Sequence, residues 1–199
     1  MTLIRKLLTS LVVCGLAAVA VAAATWSSFS STTANPSNSF SAGTVAISDN
    51  DAGATISASG MSPGGSSSGC IQVTYTGSLP ALVRLYASTS GGLAPYLNLS
   101  VTRGTQSSPS FPSCTNFTAD SGNYVGAGAG VVYSGTLSAF SSTYANFAGG
   151  LADAPGSPQT WNANSAHAYK LTISLPSGAP SAAQGLSASA TFDWEAQNQ

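Results

Sequence analysis

The chemistry open to this chain is set by few residues. Among 199 there are one histidine, three cysteines, six acidic and five basic side chains. A zinc-protease His-Glu-x-x-His motif needs two histidines one helical turn apart, so a sole His167 excludes it. His167 opens a strand pattern, Ala166-His167-Ala168-Tyr169, and reads as an ordinary surface histidine. A Ser/His/Asp triad would have to be assembled from scattered serines, with no Gly-x-Ser-x-Gly elbow to present the nucleophile. Asp193 and Glu195 share a strand face about 7 Å apart, a separation a glycosidase uses, but wet-face alternation explains them more simply. Asp49-Asn50-Asp51-Ala52-Gly53 offers calcium-type oxygen ligands at Asp49 and Asp51, yet lacks the downstream bidentate Glu and reads as a turn. Gly126, Gly128 and Gly130 mimic a phosphate-loop spacing; with no following Lys they read as a flexible or bulged segment. No catalytic residue, no metal ligand and no cofactor is expected.

The scarcity of charge extends to the whole chain, 43% of which is hydrophobic and only 6% charged. A nucleic-acid binder needs clustered Lys and Arg, and none are clustered here. Arg5 and Lys6 precede an apolar run from Leu7 through Val21 that ends in Ala22-Ala23-Ala24, the pattern of a cleaved signal peptide. Cleavage is expected after Ala24, giving three parts: the signal peptide 1–24, an extended N-terminal segment 25–39 and one domain over 40–199. The mature chain keeps Arg84, Arg103 and Lys170 against all six acidic residues. Its two cysteines, Cys70 and Cys114, form an even pair in an exported chain and read as a disulfide.

The mature sequence alternates in short runs between Gly, Pro, Asn and Ser breakers. Eight strands are expected: Phe40–Ile47, Ala54–Ala58, Cys70–Thr76, Ala81–Ser88, Tyr96–Arg103, Gly130–Tyr133, His167–Leu175 and Leu186–Glu195. Ile71, Val73 and Tyr75 share one face, as do Tyr169, Leu171, Ile173 and Leu175, and as do Phe192 and Trp194. One buried and one wet face is the antiparallel signature. Leu137, Phe140, Tyr144, Phe147 and Leu151 recur at helical steps instead, which predicts a short helix closed near Gly149-Gly150. The expected fold is all-β, a jelly-roll-like antiparallel sandwich of about eight strands with one short helix in a crossover loop.

Three blocks in order resemble the TasA/camelysin-like family of exported proteins, whose signal peptides a SipW-type peptidase processes. They are Asn38-Ser39-Phe40-Ser41-Ala42-Gly43-Thr44-Val45; Met61-Ser62-Pro63-Gly64 followed by Thr76-Gly77-Ser78-Leu79-Pro80-Ala81; and Gln184-Gly185-Leu186 through Phe192-Asp193-Trp194-Glu195-Ala196-Gln197. The closing block is similar to the ends of actinobacterial members. The resemblance implies a jelly-roll-like sandwich and a life outside the cell. In its best-known branch it implies matrix fibres, as in biofilms, built by adding the N-terminal segment as a strand to the neighbouring subunit. Thr25–Ser39 would be the donor here, with Thr25, Trp26, Phe29 and Phe40 as its candidate contacts. The metallopeptidase activity ascribed to camelysin relatives is not carried over, because one histidine cannot supply the ligands and base.

Three functions are therefore weighed. The first is a secreted or cell-surface structural protein that forms homo-oligomers or polymers. The second is a monomeric module for cell-wall polysaccharide, with Trp161, Tyr144 and Tyr124 as stacking platforms on the surface. A hydrolase ranks last. Nucleic acid is not an expected partner, and the membrane enters only through the signal peptide before cleavage.

Overall fold

The structure, a computed structural model, describes residues 43–50, 55–58, 60–156 and 158–198. The donor-segment residues Thr25, Trp26, Phe29 and Phe40, the signal peptide and Asp51 lie outside the described residues. All the described residues belong to one compact unit, Ala42–Gln199.

Two antiparallel sheets pack face to face. The strands are β1 (Ile47–Asp49), β2 (Thr55–Ala58), β3 (Ser66–Tyr75), β4 (Ala81–Ser90), β5 (Asn98–Gln106), β6 (Phe117–Ala119), β7 (Val131–Thr136), β8 (Leu151–Ala152), β9 (Thr160–Trp161), β10 (Ala166–Ser174) and β11 (Ala188–Asn198), with one helix, α1 (Leu137–Thr143). The first sheet runs β1-β3-β10-β5, with β6 and β7 both lying along the far side of β5. The second runs β2-β11-β4, with β8 and β9 both along the far side of β4. All eight expected strands have counterparts. The three not anticipated, β6, β8 and β9, are two or three residues long, too short to show a period. The first expected strand is displaced: residues 43–46 carry no strand and β1 starts at Ile47. That stretch instead clamps a turn, as Ser78 and Leu79 donate to the Thr44 carbonyl and Thr76 to that of Ala46.

Alternation builds the core. Ile71, Val73 and Tyr75 of β3, Leu99 and Val101 of β5, and Tyr169, Leu171 and Ile173 of β10 face Val83, Leu85 and Ala87 of β4 and Ala190 and Phe192 of β11, all nearly sealed from solvent. Each large side chain so buried contributes about 1.5–3 kcal/mol. The helix forms where the period changes. Thr136 accepts from the Ala139 amide as N-cap, and Leu137 and Phe140 are buried. It carries the chain from β7 in one sheet to β8 in the other. Gly149-Gly150 does not close it: Tyr144 is the C-cap, and Leu151 has left the helical stripe to pair with Leu85 as strand β8.

The disulfide joins Cys70 and Cys114 with a Cα separation of 5.0 Å. Cys70 alternates with inward Ile71, so it points outward, yet it has no exposed surface. The loop after β5 covers it, and the Cys70 amide donates to the Pro112 carbonyl over 3.1 Å.

Candidate functional site

At one end of the sandwich the apolar core gives way to a buried polar layer. On β5 the inward sequence is Leu99, Val101, Arg103, so alternation carries a guanidinium between the sheets. Tyr169 lies opposite Arg103 in register, and His167, two residues earlier on β10, shares its inward face. From the second sheet come Asp153, directly after β8, and Trp161 of β9, which pairs with Ala81.

Arg103 uses all three of its nitrogens. Its Nε donates to Asp153 Oδ1 over 2.9 Å. Its Nη1 donates to Asp120 Oδ2 and, over 3.2 Å, to the Tyr124 hydroxyl. Its Nη2 lies 3.0 Å from both ring nitrogens of His167. Tyr169 donates its hydroxyl to Asp153 Oδ1, and Tyr124 donates to Asp120 Oδ2 over 3.1 Å. The His167 ring meets Trp161 edge-on with centroids 4.6 Å apart. The Asp153 side chain is 1% exposed and that of Arg103 8%, whereas Asp120 and His167 reach 21% and 23%. The layer therefore runs from a sealed interior to a wet rim.

Backbone geometry supports this placement. The Arg103 amide donates to the Gly130 carbonyl over 2.7 Å, and its carbonyl accepts from Asp120 over 3.1 Å. Gly130 has φ 72°, and a Cβ there would stand 2.5 Å from the Arg103 carbonyl oxygen. Only glycine meets both demands. A register shift in the β5–β7 ladder between Val101 and Thr102 leaves Val132 of β7 without a partner, a bulge in the strand beside Arg103.

Burial works against the Arg103 charge, but Asp153 and Asp120 outweigh it and hold the guanidinium charged beyond its usual range. Burial pulls the His167 ring toward its neutral form; Asp153 opposes this and Arg103 reinforces it. Burial, then the Asp153 charge, pushes the Tyr169 hydroxyl well above the ordinary phenol value. General acid–base catalysis requires a lone pair or proton facing a substrate. Here the His167 ring faces a guanidinium, and Asp153 Oδ1 already takes two donors. The arrangement is suited to tying one sheet to the other. Asp153 Oδ2 is the exception: it is buried without a hydrogen-bond partner, as are the indole N–H groups of Trp161 and Trp194.

His167 is thus no ordinary surface histidine; alternation from Tyr169 turns it inward. Trp161 is 1% exposed, so it is not a surface stacking platform, because β9 pairs with β4 and packs the indole against His167. Tyr124 is half-buried with its hydroxyl spent on Asp120. Tyr144 is half-buried against Phe140 and Tyr133, at centroid distances of 4.9 and 5.9 Å. The three aromatic residues share no platform. Asp193 and Glu195 do share the outward face of β11, where Glu195 accepts from Tyr86 over 3.0 Å. The chain does contain a Gly-x-Ser-x-Gly run, Gly65-Ser66-Ser67-Ser68-Gly69. It leads into and lies within β3, with Ser67 paired to Ile173, so no strand-to-helix elbow exists there. Gly126 and Gly128 adopt φ of 76° and 122° in the loop before β7. Arg103, Asp120 and Asp153 belong to no sequence motif. One signal does point to them: an arginine at an inward position of an alternating strand requires a buried anionic partner.

Among the described residues no group of three or more metal-ligating side chains gathers. No helix among them is long and apolar enough to cross a membrane. No protein-family model matches the chain, and no curated protein does. What the geometry defines is an antiparallel β-sandwich, closed at one end by an ionic layer and clasped on its outer face by a disulfide.

Proposed function

We propose that the protein is an exported structural protein of the cell surface or extracellular matrix, which self-associates by adding its segment Thr25–Ser39 as a strand to a neighbouring subunit and performs no side-chain catalysis. One observation carries this reading. β11 spans Ala188–Asn198 and pairs with β4 along nearly its full length. On its other side β2 pairs with Ala188–Thr191, and among the described strands none pairs with Phe192–Asn198, although β1 comes close to β11. A sheet edge left open over such a stretch would offer main-chain N–H and C=O groups to an added extended segment. The segment Thr25–Ser39 carries no charge and exceeds the about 5–6 residues that a strand usually needs. The disulfide accords with an oxidising compartment. The resemblance to TasA/camelysin-like proteins supports the same reading.

The test is electron microscopy of the purified mature protein, with hydrogen exchange before and after assembly. Filaments are expected, with new protection confined to the amides of Phe192–Asn198 in the sandwich. Deleting residues 25–39 should leave a folded monomer. Filaments that persist after the deletion, or an intact chain that stays monomeric, would refute the proposal.

A further inference from the structure

We propose that His167 is a proton-operated latch: its neutral ring accepts from Arg103, and its protonated ring donates to the free oxygen of Asp153. The latch stands whether or not the protein assembles.

The geometry sets out both positions. A guanidinium has donors only, so with Nη2 3.0 Å from both ring nitrogens any hydrogen bond between them uses the lone pair of an unprotonated ring nitrogen. That requires the neutral ring. Protonation removes the acceptor and sets cation against cation. Asp153 Oδ2 is the alternative partner, 3.8 Å from His167 Nε2 and buried without a hydrogen bond. A buried unsatisfied acceptor is costly, and a small rotation of the ring would satisfy it. The groups facing the ring are Arg103 of β5, Asp153 after β8 and Trp161 of β9, with Tyr169 on its own strand and Asp120 and Tyr124 at the rim. Their charges are two carboxylates against one guanidinium, so the imidazolium supplies the missing positive charge. The ring is 23% exposed, which gives protons a route from solvent. Burial lowers the proton affinity of the ring below the ordinary histidine value.

The exchange has a structural consequence. Arg103 also holds Asp120 and Tyr124 through Nη1, and its main chain holds Gly130 and Asp120. When Nη2 loses its partner, the guanidinium shifts its remaining donors. The segment from Asp120 to Gly130 feels the change.

A sole histidine makes the test direct, because the imidazole spectrum contains one ring. The mature protein is followed by 1H–15N NMR from about pH 8 to about pH 4, the range bracketing histidine titration. A single transition is expected below the ordinary histidine value, and the amides of Arg103, Asp153, Asp120 and Gly130 should move with its midpoint. The Asp153→Asn variant should lower that midpoint by about 1 unit or more, a tenfold loss of proton affinity. Asp193→Asn, on the outer face, should leave it in place. If Asp153→Asn does not fold, the Asp153 carboxyl 13C signal of the unaltered protein decides: it should shift at the His167 midpoint. A ring already charged at neutral pH, a midpoint insensitive to Asp153→Asn, or a titration that leaves the Asp153 carboxyl signal still would overturn the latch.

Discussion

Arg103 of β5 and Asp153 after β8 meet across the sandwich through a 2.9 Å Nε–Oδ1 hydrogen bond, a link between sheets that share no main-chain hydrogen bonding at this point. Both side chains are largely withdrawn from water. Two ions so placed gain from each other about what they lose in hydration, but neither tolerates losing its partner. Arg103→Met should therefore destabilise by about 3–5 kcal/mol, read as a lower urea midpoint. The double variant Arg103→Met with Asp153→Leu should recover much of that loss, because it leaves no orphaned charge. A double variant no better than the single one would show that the stranded carboxylate is not what weakens the fold.

His167 gives the layer a pH dependence of definite sign. Its folded value lies below the ordinary 6.5, so in the window between the two the unfolded chain binds more protons. Stability then rises with pH across that window. The contribution is fully present above about 6.5 and is lost as pH falls through the folded value. Urea unfolding at stepped pH should show this slope just below 6.5, and His167→Gln should flatten it there. A wild-type profile that falls with rising pH in that window would contradict the assignment.

Much of this architecture is legible in periodicity. The runs Ile71-Val73-Tyr75 and Tyr169-Leu171-Ile173 announce one-sided strands, and the helix betrays itself through Leu137 and Phe140. Pattern fails where the cause of a structure is not local. β8 and β9 exist because β4 supplies their hydrogen-bond partners, and two residues such as Thr160-Trp161 hold no period of their own. Trp161 resembles a loop aromatic for that reason. The polar layer joins positions 103, 120, 153 and 167, and no spacing rule connects them. Only the parity of Arg103 within its strand points inward, and nothing in the sequence says which carboxylate it finds.

Phe140 joins helix to sandwich and should be costly to remove. It is fully buried, with ring centroids 4.8 Å from Tyr133, 4.9 Å from Tyr144 and 5.9 Å from Phe192. Phe140→Ala deletes the hub of these contacts and leaves a cavity, for an expected loss of about 3–5 kcal/mol. Phe140→Leu should lose less than half as much. Thermal unfolding by circular dichroism measures both.

The Cys70–Cys114 bridge closes a loop with a sequence separation of 44. Constraining the unfolded chain to that extent stabilises by roughly 4 kcal/mol in the chain-entropy model. The double variant Cys70→Ser with Cys114→Ser should lose up to that amount and raise exchange in residues 107–116, which the bridge holds against β3. An unchanged unfolding midpoint on reduction, with free thiols confirmed by mass, would show that the clasp is dispensable.

Gly130 tests whether backbone geometry, and not only charge, sets the position of Arg103. Its φ of 72° is expensive for a residue with a Cβ, and that atom would also press on the Arg103 carbonyl. Gly130→Ala thus meets both a conformational penalty above about 1 kcal/mol and a steric one, whereas Gly126→Ala has the same sign of φ, at 76°, with open space around it. The two variants separate the contributions. Gly126→Ala should show the conformational cost alone. Gly130→Ala should exceed it and should weaken the hold of Arg103 on Asp120, visible as faster exchange of the Asp120 amide, which now donates to the Arg103 carbonyl. Equal losses for the two glycines would mean that the close approach at Gly130 relaxes freely and that the side-chain network alone fixes the guanidinium.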